Sequence, residues 1–185
     1  MLICITGGAR SGKSVYAQEL ARRSGKPVIF VATAYPSDQN LKARIARHQR
    51  DRPKHWRTLE NPVDLASVFS ERGPDNEIIL VDCLTMYVAA RLMENENEVQ
   101  ISARVEKFCK AAASSAAMTI LVSNEVGSGV VPATGLGLQF QDDLGLANQI
   151  AARCAGRVVL MVSGLPVVLK DDSVAGRANR KRGRS

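Results

Sequence analysis

The sequence predicts an α/β fold, a mostly parallel sheet with helices on both faces. Short β-branched apolar segments alternate along the chain with longer segments of helical periodicity. The apolar segments are apolar nearly throughout, which is typical of strands that are covered on both faces of a parallel sheet. With 185 residues, 45% hydrophobic and 23% charged, the chain has the size and composition of one globular domain.

The elements alternate in chain order. We predict strands at Leu2–Thr6, Val28–Thr33, Ile78–Asp82, Thr119–Ser123 and Val158–Val162, with Pro166–Leu169 as a candidate last strand. Helical spacing predicts helices within Lys13–Ser24, Asn40–Arg50, Pro62–Arg72, Thr85–Ala117 and Asp142–Cys154. Residues 1–170 thus form one domain. Residues 171–185 are rich in Gly, Arg, Asn and Ser, and we expect them to be a disordered basic tail.

Composition excludes several classes of protein. No apolar run approaches the about 20 residues that a membrane span requires. The segment Met1–Gly8 has no basic region before its apolar residues, so it predicts a strand and not a signal peptide. The four cysteines show no C-x-x-C spacing, which indicates free thiols in a reducing cytoplasm. The net charge of +7 is uneven, with +3 carried by residues 171–185, and a solvated tail is favoured over a nucleic-acid contact.

The first strand runs into a complete G-x-x-x-x-G-K-S motif that opens the first helix. This context distinguishes a phosphate-binding P-loop from a chance match. The glycines let consecutive N–H groups surround phosphate oxygens at a positive helix N-terminus, where Lys13 would neutralise the β- and γ-phosphates and Ser14 would ligate Mg²⁺. With the α/β pattern, the motif predicts a RecA-like P-loop NTPase fold. Its residues are Gly7, Gly8, Ala9, Arg10, Ser11, Gly12, Lys13 and Ser14.

A second ligand for Mg²⁺, a carboxylate, is expected at the carboxyl end of a buried strand. The run Ile78–Asp82 has this pattern, four apolar residues followed by an acid. In a parallel sheet its carboxyl end lies on the same edge as the P-loop. Asp82 is therefore the predicted partner of Ser14 at Mg²⁺, with a structural cap of the following turn as the alternative.

The segment 44–60 contains both histidines and the only tryptophan. On the predicted helix, His48 follows Ile45 by three residues and shares its apolar stripe. Six Lys and Arg residues in the segment disfavour imidazolium, so His48 should be neutral and nucleophilic. The same cations could bind a triphosphate, and from the residues alone a plain basic surface is an equal alternative.

Three motifs in order resemble the bifunctional adenosylcobinamide kinase/adenosylcobinamide-phosphate guanylyltransferase family of cobalamin biosynthesis. They are the P-loop, the A-R-I-x-x-H-x-x-x-R-P-x-H-W-x-T-x-E pattern of 43–60, and N-E-V-G-S-G-V-V-P of 124–132. The resemblance implies that a cobinamide hydroxyl takes the γ-phosphoryl group of ATP or GTP. A histidine then attacks the α-phosphorus of GTP, and the GMP–histidine intermediate transfers GMP to cobinamide phosphate.

The resemblance also implies roles for particular residues. The family histidine falls on His48, and His55 is the weaker candidate for the nucleophile. Glu60 could bind guanine, because a carboxylate accepts its N1–H and 2-amino donors. Besides the P-loop, the residues expected to contact nucleotide are Ala32, Thr33, Ala34, Gln49, Arg50, Asp51, Arg52, Glu60 and Asp82.

The chain departs from the family at three positions before its G-x-x-N-Q motif at 145–149. Gly135, Leu138 and Gln141 stand where the family usually has arginines. The missing cations should weaken the hold on phosphate or on a neighbouring subunit. The resemblance suggests a homotrimer, whose assembly the departure puts in question.

Two other functions fit parts of the sequence. A plain P-loop small-molecule kinase would use the His48 segment only as a basic lid, and it would form no protein–GMP adduct. A RecA-like protein that binds nucleic acid through residues 171–185 would bind DNA or RNA in a salt-sensitive way.

Overall fold

The structure is a computed structural model that describes residues 1–34, 53–70 and 76–173, and these contain one seven-stranded sheet. The strand order is β3-β2-β4-β5-β1-β6-β7, and only the β6–β7 pair is antiparallel. The predicted α/β class and its mostly parallel sheet are confirmed. The strands are β1 Leu2–Gly7, β2 Val28–Ala32, β3 Arg57–Glu60, β4 Ile78–Asp82, β5 Met118–Val122, β6 Arg157–Val162 and β7 Leu165–Asp171.

Helices cover both faces of the sheet. On one face α1 packs its buried Ala17 and Ala21 against Ile3 and Ile5 of β1. The other face carries the other helices of the described ranges, and there Leu2 and Cys4 of the same strand join the core. Successive side chains of a buried strand therefore point alternately into the two hydrophobic cores, one on each face of the sheet. The helices are α1 Lys13–Arg23, α2 Leu84–Met93, α3 Glu98–Ser114 and α4 Gly135–Cys154, with 3₁₀ turns at Leu65–Phe69 and Val126–Ser128.

The structure corrects three predicted elements. The sequence analysis gave no strand at Arg57–Glu60, yet these residues pair with β2 at the sheet edge. Within the described part of the helix predicted over Pro62–Arg72, which ends at residue 70, there is only the 3₁₀ turn Leu65–Phe69, which Asp64 caps by accepting from the Ala66 N–H. The long stretch Thr85–Ala117 is two helices, because Asn97 and Gln100 form a capping box that starts α3.

Helix α4 begins seven residues earlier than the predicted Asp142, with Thr134 as its cap. Gly137 is needed in this first turn, because a Cβ there would lie 2.7 Å from the Pro132 side chain. The predicted helix Asn40–Arg50 lies outside the described residues, as do 174–185 of the predicted tail. All four cysteines are free thiols, and Cys4 and Cys109 are buried. Within the described ranges no helix is both long and apolar enough to cross a bilayer.

Candidate active site

The P-loop connects the end of β1 to the start of α1 as predicted. Gly8, Ala9 and Arg10 are exposed, Ser11 is buried, and Ser14 is partly buried in the first turn of the helix. The Ser11 N–H donates to the Gly8 carbonyl, which closes the loop at 3.3 Å. The first turn of α1 contains no acidic residue, so its open N–H groups keep their positive potential. The loop can therefore receive an anion at its rim.

Two glycines of the loop are required by the backbone packed against it. Gly7 has a φ of 145°, and a Cβ there would overlap the Met161 carbonyl oxygen of β6. Gly12 has a φ of 95°, and its Cβ would lie 3.3 Å from the Cα of Gly164. The Gly164 N–H also donates to the Ser11 carbonyl at 3.0 Å. The β6–β7 turn thus supports the P-loop from one side.

Lys13 is held at the mouth of the loop by two oxygen atoms. Its Nζ donates to the Gly8 carbonyl at 2.5 Å and to Asn124 Oδ1 at 3.2 Å. Partial burial lowers the pKa of the ammonium, whereas the nearby Asp82 and Glu125 carboxylates act in the opposite direction. An ammonium has three donors, so one remains for a ligand.

Three predicted nucleotide contacts lie side by side at the carboxyl edge of the sheet. The strand register places Glu60 of β3 beside Ala32 of β2, and Ala32 beside Asp82 of β4. Two strand spacings separate the acidic residues, about 10 Å between their backbones. The Asp82 carboxylate also acts to raise the pKa of Lys13 through its charge, which places Asp82 near the P-loop. Glu60 is exposed at the far end of this row.

Thr33 occupies the next position after β2 and joins the ends of two strands. Its hydroxyl donates to the Cys83 carbonyl at 2.6 Å and accepts from the Cys83 N–H at 2.7 Å. Asn61 reinforces the same corner, with its N–H donating to the Ala32 carbonyl at 2.7 Å. In the orientation that satisfies its amide, Asn61 also donates to the carbonyls of Thr33 and Ala34 at 3.2 Å. The Thr33 hydroxyl thus fixes the strand end that carries Asp82.

A hydrogen-bond network that the sequence analysis did not assign extends from Lys13 into α4. Asn148 accepts from the Ser123 hydroxyl at 2.5 Å and donates to the Asn124 carbonyl at 2.9 Å. Its amide also donates to Glu125 Oε1 at 3.4 Å, and the Thr6 hydroxyl donates to that same oxygen at 2.5 Å. The indication in the sequence was the position of Asn124 and Glu125 after a buried strand, as for Asp82.

Of the two histidines, only His55 lies within the described residues. His48, Gln49, Arg50, Asp51 and Arg52 lie outside the described residues. His55 is exposed and precedes β3, which places it at the amino edge of the parallel sheet, opposite the P-loop.

The neighbour of His55, Trp56, is buried and stacks on Phe30 at 6.3 Å between ring centroids, with the Arg22 guanidinium over its ring. A cavity of about 520 Å³ opens beside these residues at the same edge; its lining includes Arg22, Lys26, His55 and Trp56.

The three positions that lack the expected arginines lie on the first two turns of α4. Gly135 starts the helix and is exposed, and Leu138 is 45% exposed. The Gln141 side chain is near Gly127, and its Oε1 is buried without a partner among the described residues. Val130 and Val131, which precede α4 in sequence, are also exposed.

The fold and the loop define a RecA-like P-loop protein. A KaiC-like protein from Pyrococcus horikoshii superposes with a TM-score of 0.53 at 17% identity, over 86% of this chain and 69% of that one. The family described as "Cobinamide kinase / cobinamide phosphate guanyltransferase" matches residues 3–169, and the chain belongs to that family.

Curated relatives agree with this assignment. The bifunctional adenosylcobalamin biosynthesis protein CobP of Pseudomonas aeruginosa is 39% identical over 91% of this chain and 96% of its own length. The corresponding proteins, CobU, of Escherichia coli and Salmonella typhimurium are each 36% identical over 92% of this chain and 100% of their own length. The bifunctional interpretation of the sequence is confirmed, and these relatives do not support the plain-kinase alternative.

Proposed function

We propose that this chain phosphorylates adenosylcobinamide with ATP or GTP and then transfers GMP from GTP to the phosphate it has made. The products of the second step are adenosylcobinamide-GDP and pyrophosphate. The observation that carries the proposal is the row of Glu60, Ala32 and Asp82 along the sheet edge that holds Lys13. This edge offers cationic, acidic and backbone groups over the length of one nucleotide.

In the kinase step the acceptor hydroxyl attacks the γ-phosphorus, and the bond to the bridging oxygen breaks. No protein nucleophile is required, so the protein positions the reactants and stabilises charge. The N–H groups of Gly7–Ser14 bind the phosphates, and Lys13 directs its remaining donor to an oxygen of the β- or γ-phosphate. Gly8 and Asn124 hold that ammonium in place, so little reorganisation is needed on reaction.

In the guanylyl step we assign the nucleophile to His48. The neutral imidazole attacks the α-phosphorus, the bond to pyrophosphate breaks, and a phosphoramidate joins GMP to the protein. The cobinamide phosphate oxygen then displaces the imidazole and takes the GMP. Covalent catalysis divides one difficult transfer between two anions into two steps. The place of His55 at the opposite sheet edge supports the choice between the histidines.

The nucleotide site would take Mg²⁺ with its substrate. Among the described residues no group of three or more His, Cys, Asp or Glu side chains could hold a metal by itself. Mg²⁺ is usually bound through one or two protein oxygens together with phosphates and water. Asp82 and Ser14 supply hard oxygen ligands beside the P-loop. When bound, the ion neutralises charge on the phosphates.

Base recognition is assigned to Glu60 at the end of the row. Its carboxylate can accept the N1–H and 2-amino donors of guanine, which adenine does not offer in that arrangement. Ala32, Thr33 and Ala34 would line the space between base and phosphates with small groups. Gln49, Arg50, Asp51 and Arg52 follow the nucleophile in sequence and would contact the GTP that it attacks.

The proposal is tested with GTP labelled at the α-phosphate. Incubation of the full chain should yield a protein adduct that is labile in acid and stable in base, as expected for a phosphoramidate. Labelling adenosylcobinamide from γ-labelled ATP or GTP in a parallel reaction reports the kinase step. A chain that transfers the γ-label but forms no adduct would be a kinase alone, and the two-reaction proposal would fail.

Two further expectations belong to this proposal. We place the enzyme in the cytoplasm, where nucleoside triphosphates are made and free thiols persist. We expect a homo-oligomer, as the family resemblance suggests, while the basic tail and nucleic acid play no part in the reaction.

A further inference from the structure

The proposed function uses Asn124 only to hold the Lys13 ammonium and assigns it no contact with substrate. This residue follows β5, and β5 lies between the P-loop strand β1 and the Asp82 strand β4. The register pairs Val122 with both Ile5 and Asp82, so the end of β5 is level with the phosphate-binding edge. The Glu125 N–H donates to the Gly7 carbonyl at 3.2 Å, which ties this segment to the loop.

The amide of Asn124 is engaged on one side only. Its Oδ1 accepts from Lys13 Nζ at 3.2 Å. Within the part of the chain that the structure describes, no group accepts a hydrogen bond from its Nδ2. Because both atoms are bonded to the same carbon, Nδ2 lies within about 5 Å of Nζ, a distance that one phosphoryl oxygen can bridge. The amide therefore offers a neutral donor next to the ammonium.

The backbone of Asn124 is held from two directions. Its N–H donates to the Thr85 hydroxyl in the first turn of α2 at 2.9 Å. Its backbone carbonyl accepts from Asn148 Nδ2 of α4 at 2.9 Å, and Asn148 Oδ1 in turn accepts from the Ser123 hydroxyl. Two helices thus determine where the amide lies before any ligand arrives, which reduces the entropy lost on binding.

We propose that Asn124 contacts the γ-phosphate of the bound nucleoside triphosphate through Nδ2, and that Asn148 is the positioning residue that places it there. The inference rests on the proposed function, since it requires a triphosphate at the P-loop. Lys13 keeps its bonds to Gly8 and Asn124 and uses its third donor for the same phosphate. A diphosphate ends before this point and leaves the Asn124 donor without a partner.

The test compares binding of the β,γ-imido analogue of GTP with binding of GDP, both with Mg²⁺, by titration calorimetry on the full chain. Asn124→Ala should weaken the triphosphate analogue about 10- to 100-fold, the range for one hydrogen bond to a charged group. Its affinity for GDP should stay within about twofold, because a diphosphate makes no such contact. Gln139→Ala is the matched control, an exposed amide on α4 without a described hydrogen bond, and should change neither affinity.

Asn148→Ala should likewise lower the affinity for the triphosphate analogue and not that for GDP. In the double variant with Asn124→Ala it should cause little further loss, because Asn148 acts only through Asn124. A thermal melt checks folding. Ser123→Ala, which removes only the hydroxyl that holds Asn148, serves if Asn148→Ala does not fold. Equal weakening of both nucleotides, or no weakening in Asn124→Ala, would overturn the inference. If the unsubstituted chain bound no triphosphate, the proposed function itself would fail.

Discussion

Thr33 is the residue whose loss should reveal most about how the site is built. Its side chain is 3% exposed, and its hydroxyl makes two hydrogen bonds, at 2.6 and 2.7 Å, with the backbone of Cys83. Thr33→Val keeps the shape but removes both bonds to Cys83. The Cys83 carbonyl still accepts from the Tyr87 N–H at 3.3 Å, so the main cost is the Cys83 N–H that loses its acceptor. An unsatisfied group of this kind costs about 1–3 kcal/mol, and with the lost bond to the carbonyl we expect a loss of about 2–3 kcal/mol. That is a large part of the 5–15 kcal/mol typical of a domain.

The assay is urea unfolding followed by circular dichroism, together with a thermal melt. The melting temperature should fall by roughly 4 to 12 °C for a chain of this length. Thr33→Ser is the matched control: it keeps the hydroxyl, loses one methyl group, and should cost only about 1 kcal/mol. Equal losses in the two variants would show that the hydroxyl bonds contribute nothing and would refute the reasoning.

Three further predictions concern single charges of the site and the core. Lys13→Ala should abolish both activities, because the two reactions share one phosphate site; either activity near the wild-type rate would indicate a second site. Asp82→Asn should keep the thermal melt without nucleotide and sharply raise the Mg²⁺ concentration needed for half-maximal rate. Asp143 is buried, and its pKa is raised by burial and by Glu98 and Asp142, so the folded state binds its proton more tightly. Asp143→Asn should therefore stabilise the protein at pH 7 by on the order of 1 kcal/mol, and the gain should vanish below about pH 3.5 in urea titrations.

The parts of the site that could be predicted are those coded by local sequence. The P-loop is a contiguous motif that can be read directly from the sequence. Its glycines are needed where other backbone lies close, as at Gly7, where a Cβ would overlap the Met161 carbonyl oxygen. The place of Asp82 at the same sheet edge as the P-loop could be predicted, because a buried strand ends on it and the carboxyl ends of parallel strands meet at one edge. The fold class followed from the same alternation of apolar and helical segments.

The parts that could not be predicted depend on tertiary pairing. Strand β3 consists of Arg57–Glu60, which is polar and partly exposed, so no apolar run indicated it. The bond between Asn148 and Asn124 joins residues 24 apart in sequence, which only the packing of α4 brings together. The resemblance predicts that Thr33 contacts nucleotide, but the bond of its hydroxyl to Cys83 across two strand ends depends on strand pairing and could not be predicted.

The measurement that tests the central claim most directly is labelling with α-labelled GTP in two histidine variants. His48→Asn should lose the GMP adduct and the guanylyl transfer while it retains substantial phosphorylation of adenosylcobinamide, because the kinase step needs no protein nucleophile. His55→Asn should keep the adduct, since His55 lies at the sheet edge opposite the P-loop. An adduct that survives in His48→Asn and disappears in His55→Asn would contradict the account.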